Sequence, residues 1–163
     1  MNTQVQERTA SPAAAAPQIA EKMPSAAQTW QFYMGSLFKR EINGEADVLD
    51  LIQKGVTGAV YSKLLSRLEL PKDAIGAETT IRNRLKSAAR LNADESERLV
   101  MIVRVYASAL SLFGTEEKAL AWLHKPARYL REGPPVAPIT LAKFEPGVRL
   151  LEERLLRTAH GVF

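Results

Sequence analysis

The stretch Asn92–Gly114, NADESERLVMIVRVYASALSLFG, decides the fold. Leu99, Ile102, Val103, Tyr106, Leu110 and Phe113 recur at spacings of three and four, which is the period of a helix with one buried face. Asn92 followed three residues later by Glu95 has the form of a capping box, and Gly114 supplies the stop. A helix this long and this apolar is expected to run through the centre of the molecule. Nowhere in the chain does an apolar residue alternate with a polar one at period two, so the fold class is all-α.

Working outward toward the N-terminus, the periodicity persists in shorter pieces. A basic helix is expected from Ala77 to Ala89, with Ile81, Leu85 and Ala88 facing inward. Before it, Thr57 is placed to cap a helix bearing Val60, Tyr61, Leu64, Leu65 and Leu68, which Pro71 breaks. Residues 46–54 form another short helix, with Val48, Leu51 and Ile52 inward and Gly55 at its end. From Ser25, the residues Trp30, Tyr33, Met34, Leu37 and Phe38 make an aromatic stripe, either core or a dimer contact. Residues 1–24 are rich in Ala, Pro, Gln, Thr and Ser and have no aromatic anchor, as expected of a flexible tail.

Toward the C-terminus, Thr115 with Glu116 and Glu117 opens a helix carrying Leu120, Trp122 and Leu123, and Pro126 closes it. Three prolines between Gly133 and Pro138 require a connector. A short helix follows near Ile139–Phe144. The last helix begins at Glu145-Pro146, turns Val148, Leu151 and Leu155 inward, and ends near Gly161.

Composition narrows function. The 163 residues fit one domain or two small ones, and 46% hydrophobic with 25% charged residues is a globular balance. No run approaches the roughly 18 apolar residues of a membrane span, and no basic stretch precedes an apolar one at the N-terminus; a soluble, cytoplasmic chain without a membrane partner is expected. Cysteine is absent and only His124 and His160 are present, which leaves no thiolate chemistry and little for a metal site. Glu116-Glu117 and Glu152-Glu153 are adjacent carboxylates that diverge by about 100° on a helix, so they read as solvated faces. His124 reads as a helix-end or surface histidine. With neither a phosphate loop nor a nucleophile triad, the expectation is a binding protein with no catalytic residue, metal or cofactor.

The net charge is +4, and its excess lies in residues 51–113, where 10 basic side chains face 6 acidic ones. Arg82, Arg84, Lys86 and Arg90 have no acidic residue between them. Glu78, Thr79, Arg82, Asn83 and Lys86 lie outward on the basic helix, where they suit base edges, while Arg84 and Arg90 are spaced for phosphates. A solvated charged face of an ordinary helix explains the same pattern.

The run Leu112-Phe113-Gly114-Thr115-Glu116-Glu117-Lys118-Ala119-Leu120-Ala121-Trp122-Leu123 is followed by a proline connector, Pro138-Ile139, Gly147, Leu150, Leu155-Leu156-Arg157 and His160-Gly161. Together these residues resemble the toxin-binding domain of the Xre/MbcA/ParS antitoxin family. Gly55-Val56, Thr80-Ile81-Arg82-Asn83-Arg84 and Leu91–Leu99 extend the resemblance over residues 46–163. It implies a helix-turn-helix half, residues 25–110, packed on a helical toxin-binding half, residues 111–163. The implied DNA-binding residues are Thr79, Thr80, Arg82, Asn83, Arg84, Lys86 and Arg90; the implied toxin-binding residues are Trp122, Glu153, Arg157, His160, Gly161, Val162 and Phe163.

The resemblance further implies a partner, a RES-domain toxin that degrades NAD or uses it for ADP-ribosylation, blocked by the last helix and tail. It also implies a homodimer on operator DNA that represses the antitoxin's own operon. A free-standing helix-turn-helix transcriptional regulator is the alternative. The chain departs from the family pattern twice. Pro71–Gly76 is short, so the helix before the recognition helix is expected to be a single turn or missing. Gly133–Pro138 replaces a turn that would give the next helix a hydroxyl cap.

Overall fold

The computed structural model describes residues 29–161. The expected tail over residues 1–24, the start of the first helix at Ser25, and Val162-Phe163 lie outside the described residues. Eight helices follow in order: α1 (Thr29–Phe38), α2 (Glu45–Lys54), α3 (Gly58–Arg67), α4 (Glu78–Lys86), α5 (Ala93–Phe113), α6 (Glu116–His124), α7 (Pro138–Leu141) and α8 (Glu145–Ala159). The fold is all-α; the only extended pairing among the described residues is an isolated antiparallel bridge between Ala127 and Val136.

Helix α5 is the axle. Asn92 accepts a hydrogen bond from the Glu95 amide at 2.8 Å while its own amide donates to Glu95 Oε2 at 2.9 Å, completing the expected capping box. Gly114 ends the helix in the left-handed region at φ 75°. The helix runs through the centre, as expected, and its burial extends beyond the periodic face. Beyond Leu99, Ile102, Val103, Tyr106 and Leu110, Val100, Val105, Ala107 and Ala109 are also buried, because α1, α2, α6 and α8 pack around it. The expected division at residue 110 thus falls inside a helix that touches elements of both halves.

The aromatic stripe of α1 is core within the chain. Met34, Leu37 and Phe38 are buried, and Trp30 and Tyr33 pack partly against the same cluster. This corrects the dimer reading for Leu37 and Phe38, which face α5; the exposed aromatic of α1 is Phe32, a residue outside the stripe. Thr57 caps α3 by accepting from the Val60 amide, and Thr115 caps α6 by accepting from the Lys118 amide. Between α3 and α4 the chain makes one short turn, with the Ala74 amide donating to the Pro71 carbonyl at 2.9 Å, and no helix. The basic helix is shorter than expected: it stops at Lys86, and Ala88, expected inward, is exposed with φ 55°.

Helix α7 has Ala137 at its N-cap with no side-chain hydrogen bond, as the missing hydroxyl implies. Helices α7 and α8 pack so closely at Gly147 that a β-carbon there would lie 2.0 Å from the Leu141 carbonyl oxygen. Val148, Leu151 and Leu155 are the buried residues of α8, matching the sequence pattern.

Candidate functional site

Two surfaces carry the candidate residues, and a buried junction orients the first. Gly55, at the end of α2, has φ 81°, and the Leu91 amide donates to the Val56 carbonyl at 2.9 Å. The Val56 amide donates to the Ser96 hydroxyl at 3.0 Å, and Ser96 is fully buried. These bonds tie the segment before α3 to the segment before α5 and fix the frame in which α4 sits.

Arg84 and Arg90 belong to that junction. Arg84 Nε stands 2.7 Å from Glu95 Oε2, with the Glu95 side chain 6% exposed. The pair is in ionic contact without an aligned N–H bond from that nitrogen. One capping carboxylate therefore also neutralises a guanidinium from α4. Arg90 donates to the Gly55 carbonyl at 3.0 Å. Tyr61, buried beside this group, has its pKa raised by burial and by the Glu95 charge.

The rest of α4 faces solvent. Thr79, Thr80, Arg82, Asn83 and Lys86 are exposed, and Ile81 alone is buried. Glu78 at the first turn lies 3.7 Å from Lys72. The outward set is polar and cationic, with guanidinium, amide and hydroxyl groups on one accessible face, the groups that read base edges and phosphates.

The second surface is formed by α6, the connector after it and α8. Trp122 is half-buried with its ring 6.1 Å from Phe113. Glu153 and Arg157 form an ion pair one helical turn apart on the outer side of α8, and His160 and Gly161 are exposed. Gly161, just past the end of α8, takes φ 69°, a left-handed conformation that suits glycine. Leu156 is 60% exposed, an apolar residue that flanks the anchor Leu155. The structure brings Trp122 and Arg157 to one cleft of about 450 Å³, together with Arg128, Tyr129, Arg154 and Thr158. A second groove of about 450 Å³ runs between α1, α5 and α8, lined by Trp30, Ser108, Leu112, Leu155 and Leu156.

Several functional-looking side chains escaped the sequence reading. Arg104 on α5 donates to Glu152 of α8 at 2.9 Å and to Glu45 of α2 at 2.8 Å, and its guanidinium lies 4.4 Å from the Trp30 ring centroid. Burial opposes its charge, yet Glu152 and Glu45 hold its pKa above the ordinary value. Glu116 pairs with Arg67 across α6 and α3. Glu152 and Glu116, read as solvated, are thus interhelical partners. No local spacing marks such pairs, because the partners are 48 and 49 residues apart. His124 Nε2 contacts the Leu68 carbonyl at 2.9 Å, which makes it a tether between α6 and the end of α3. Arg128, Tyr129 and Arg154 had no motif to flag them.

Among the described residues no group of His, Cys, Asp and Glu is arranged to hold a metal ion, and no helix is long and apolar enough to cross a membrane. The class defined so far is an all-α protein with an exposed cationic helix, α4, and a cleft between α8 and the connector after α6.

No family model matches the chain. Two curated relatives do, both named Antitoxin Xre. The one from Yersinia enterocolitica serotype O:8 / biotype 1B is 30% identical over 122 residues, 71% of this chain and 80% of the relative. That from Pseudomonas putida KT2440 is 28% identical over 124 residues, 74% of this chain and 76% of the relative. The chain belongs to the Xre antitoxin family.

Proposed function

We propose that this chain is the antitoxin of a type II toxin–antitoxin pair, a non-enzymatic cytoplasmic inhibitor of a RES-domain toxin that degrades NAD or transfers ADP-ribose from it. Helix α8 and the residues beyond it block the toxin's active site. The observation that carries the reading, beside family membership, is the division of α8: Val148, Leu151 and Leu155 anchor it, while Leu156, Arg157 and His160 remain available to a partner. Arg157 suits a carboxylate or carbonyl acceptor in the toxin's pocket, Glu153 steadies it from one turn away, and Trp122 extends the surface onto α6. Val162 and Phe163, the two apolar residues after Gly161 in the sequence, belong to the same toxin contact.

The deciding experiment compares full-length chain with a chain lacking residues 157–163 as inhibitors of NAD consumption by the toxin encoded beside it. The truncated chain is expected to keep its helical content and lose inhibition. Equal inhibition by both removes the tail from the mechanism and moves the toxin contact to the Trp122 region.

The exposed face of α4 favours a second activity, repression of the chain's own operon by a homodimer bound to DNA. Thr79, Thr80, Arg82, Asn83 and Lys86 supply it, whereas Arg84 pairs with Glu95 and Arg90, after the helix, donates to the Gly55 carbonyl. A helix-turn-helix monomer reads one half-site, hence the dimer. In a free-standing transcriptional regulator this face would be the whole function, and copurification with the neighbouring gene product separates the two.

A further inference from the structure

The cleft between the connector after α6 and the outer side of α8 has a composition that toxin docking alone does not call for. Arg154, Arg157 and Thr158 project into it from one face of α8, and Arg128 and Tyr129 enter from the connector, with Trp122 as a wall. The connector is held in place by the two 3.0 Å backbone bonds between Ala127 and Val136. No carboxylate lines the cleft. Among the described residues, Arg128 and Arg154 have no carboxylate within 4 Å, and the partner of Arg157, Glu153, stands outside the lining.

Three guanidiniums around one depression would repel one another, and an anion resolves that repulsion. All three cations are arginine, whose planar fork binds phosphate oxygens in pairs. Two of the other lining residues, Trp122 and Tyr129, are aromatic. Burial raises the pKa of Tyr129, with the Arg154 charge acting in the opposite direction, and Trp122, Tyr129 and Arg154 line the same cleft. A volume of about 450 Å³ lies within the roughly 300–1,000 Å³ of small-molecule sites. Trp122 and Tyr129 pack on the core and are only half-buried, so a ring attached to the anion can lie against the part of each that lines the cleft.

We propose that this cleft binds a free nucleotide carrying two or three phosphates, its phosphate chain held by Arg128, Arg154 and Arg157 and its base set against Trp122 and Tyr129. The phosphate end needs the cations and the Thr158 hydroxyl. The base end needs only a π-face, so the site tolerates different bases.

Calorimetric titration of the full chain, alone and without toxin, tests this with ADP, ATP, adenosine and inorganic pyrophosphate. ADP and ATP are expected to bind at least tenfold more tightly than adenosine or pyrophosphate. Arg154→Ala and Arg128→Ala, both at exposed positions, should each weaken ADP at least fivefold with helical content unchanged, while Arg149→Ala, outside the cleft, should not. Three results overturn the proposal: no binding of ADP or ATP at millimolar concentration, pyrophosphate as tight as ADP, or ADP binding that survives both cleft substitutions and disappears in Arg82→Ala, which places the anion on α4. None of these outcomes bears on toxin inhibition, so the antitoxin reading stands or falls separately.

Discussion

Gly55 and Leu91 lie so close that a β-carbon on Gly55 would stand 2.3 Å from the Leu91 carbonyl oxygen. The same glycine has φ 81°, a backbone region that side chains disfavour. Gly55→Ala therefore combines a left-handed strain of about 1–3 kcal/mol with a steric clash of about 1–3 kcal/mol against backbone that cannot rotate away. The expected loss is about 3 kcal/mol, read as a lower urea midpoint with an unchanged slope. A loss under about 0.5 kcal/mol would show that the α2–α3 and α4–α5 segments are free to move apart.

Two arginines two residues apart on α4 should separate stability from DNA binding. Arg84→Ala strips Glu95, a mostly buried carboxylate, of its cation, and the cost is expected at about 1–3 kcal/mol, moderated by the Asn92 amide that still donates to it. Arg82 is exposed and has no ion pair among the described residues, so Arg82→Ala should change stability by less than about 0.5 kcal/mol. On operator DNA the same substitution should cost about 1–3 kcal/mol. Thermal melts and gel shifts on both variants check the split, and an Arg82→Ala chain that binds operator like the parent removes α4 from the interface.

The contrast between these arginines also marks how far the sequence could be read. Helices, caps and inner faces were legible because each depends on residues three or four apart: the Asn92–Glu95 box, the Thr57 and Thr115 caps, and the Val148, Leu151, Leu155 face all hold in the structure. The short turn after α3 was legible from Pro71–Gly76. Arg84 was not, because the residue that claims its charge belongs to the cap of the next helix and only the fold places the two together. Arg104 with Glu45 and Glu152, and Arg67 with Glu116, were hidden for the same reason. The burial of α5 on most sides was missed because periodicity reports the most apolar face, whereas Ala107 and Ala109 are buried by what surrounds them.

Arg104 joins four helices, α1, α2, α5 and α8, through one guanidinium. Replacing it by Ala leaves the half-buried Glu152 without its cation and Trp30 without its ring contact, with an expected cost of about 2–3 kcal/mol. A double-mutant cycle with Glu152→Gln should return a coupling of at least about 1 kcal/mol. Because Glu152 lies on α8, Arg104→Ala should also weaken toxin inhibition more than it weakens DNA binding. Additive effects of the two substitutions on unfolding would show that the pair is incidental.

Tyr106 is fully buried, yet its hydroxyl has no hydrogen-bond partner among the described residues. An unpaired buried hydroxyl carries a desolvation cost of about 1–3 kcal/mol, so removing it while keeping the ring should not harm the fold. Tyr106→Phe is expected to leave stability unchanged at neutral pH or raise it by up to about 1 kcal/mol. The alkaline side gives a second readout. Burial and the Glu116 charge raise the Tyr106 pKa in the folded state, with Arg67 opposing. The folded chain thus keeps this proton where the unfolded chain loses it, and stability declines as pH rises above the ordinary tyrosine value of about 10. Tyr106→Phe removes that part of the decline, leaving the shares of Tyr61 and Tyr129, which are raised for the same reason. Urea midpoints of parent and variant at pH 8 and above pH 10 decide it: the variant should gain on the parent as pH rises, and a variant that is less stable than the parent at both values would mean that the hydroxyl has a partner in solution.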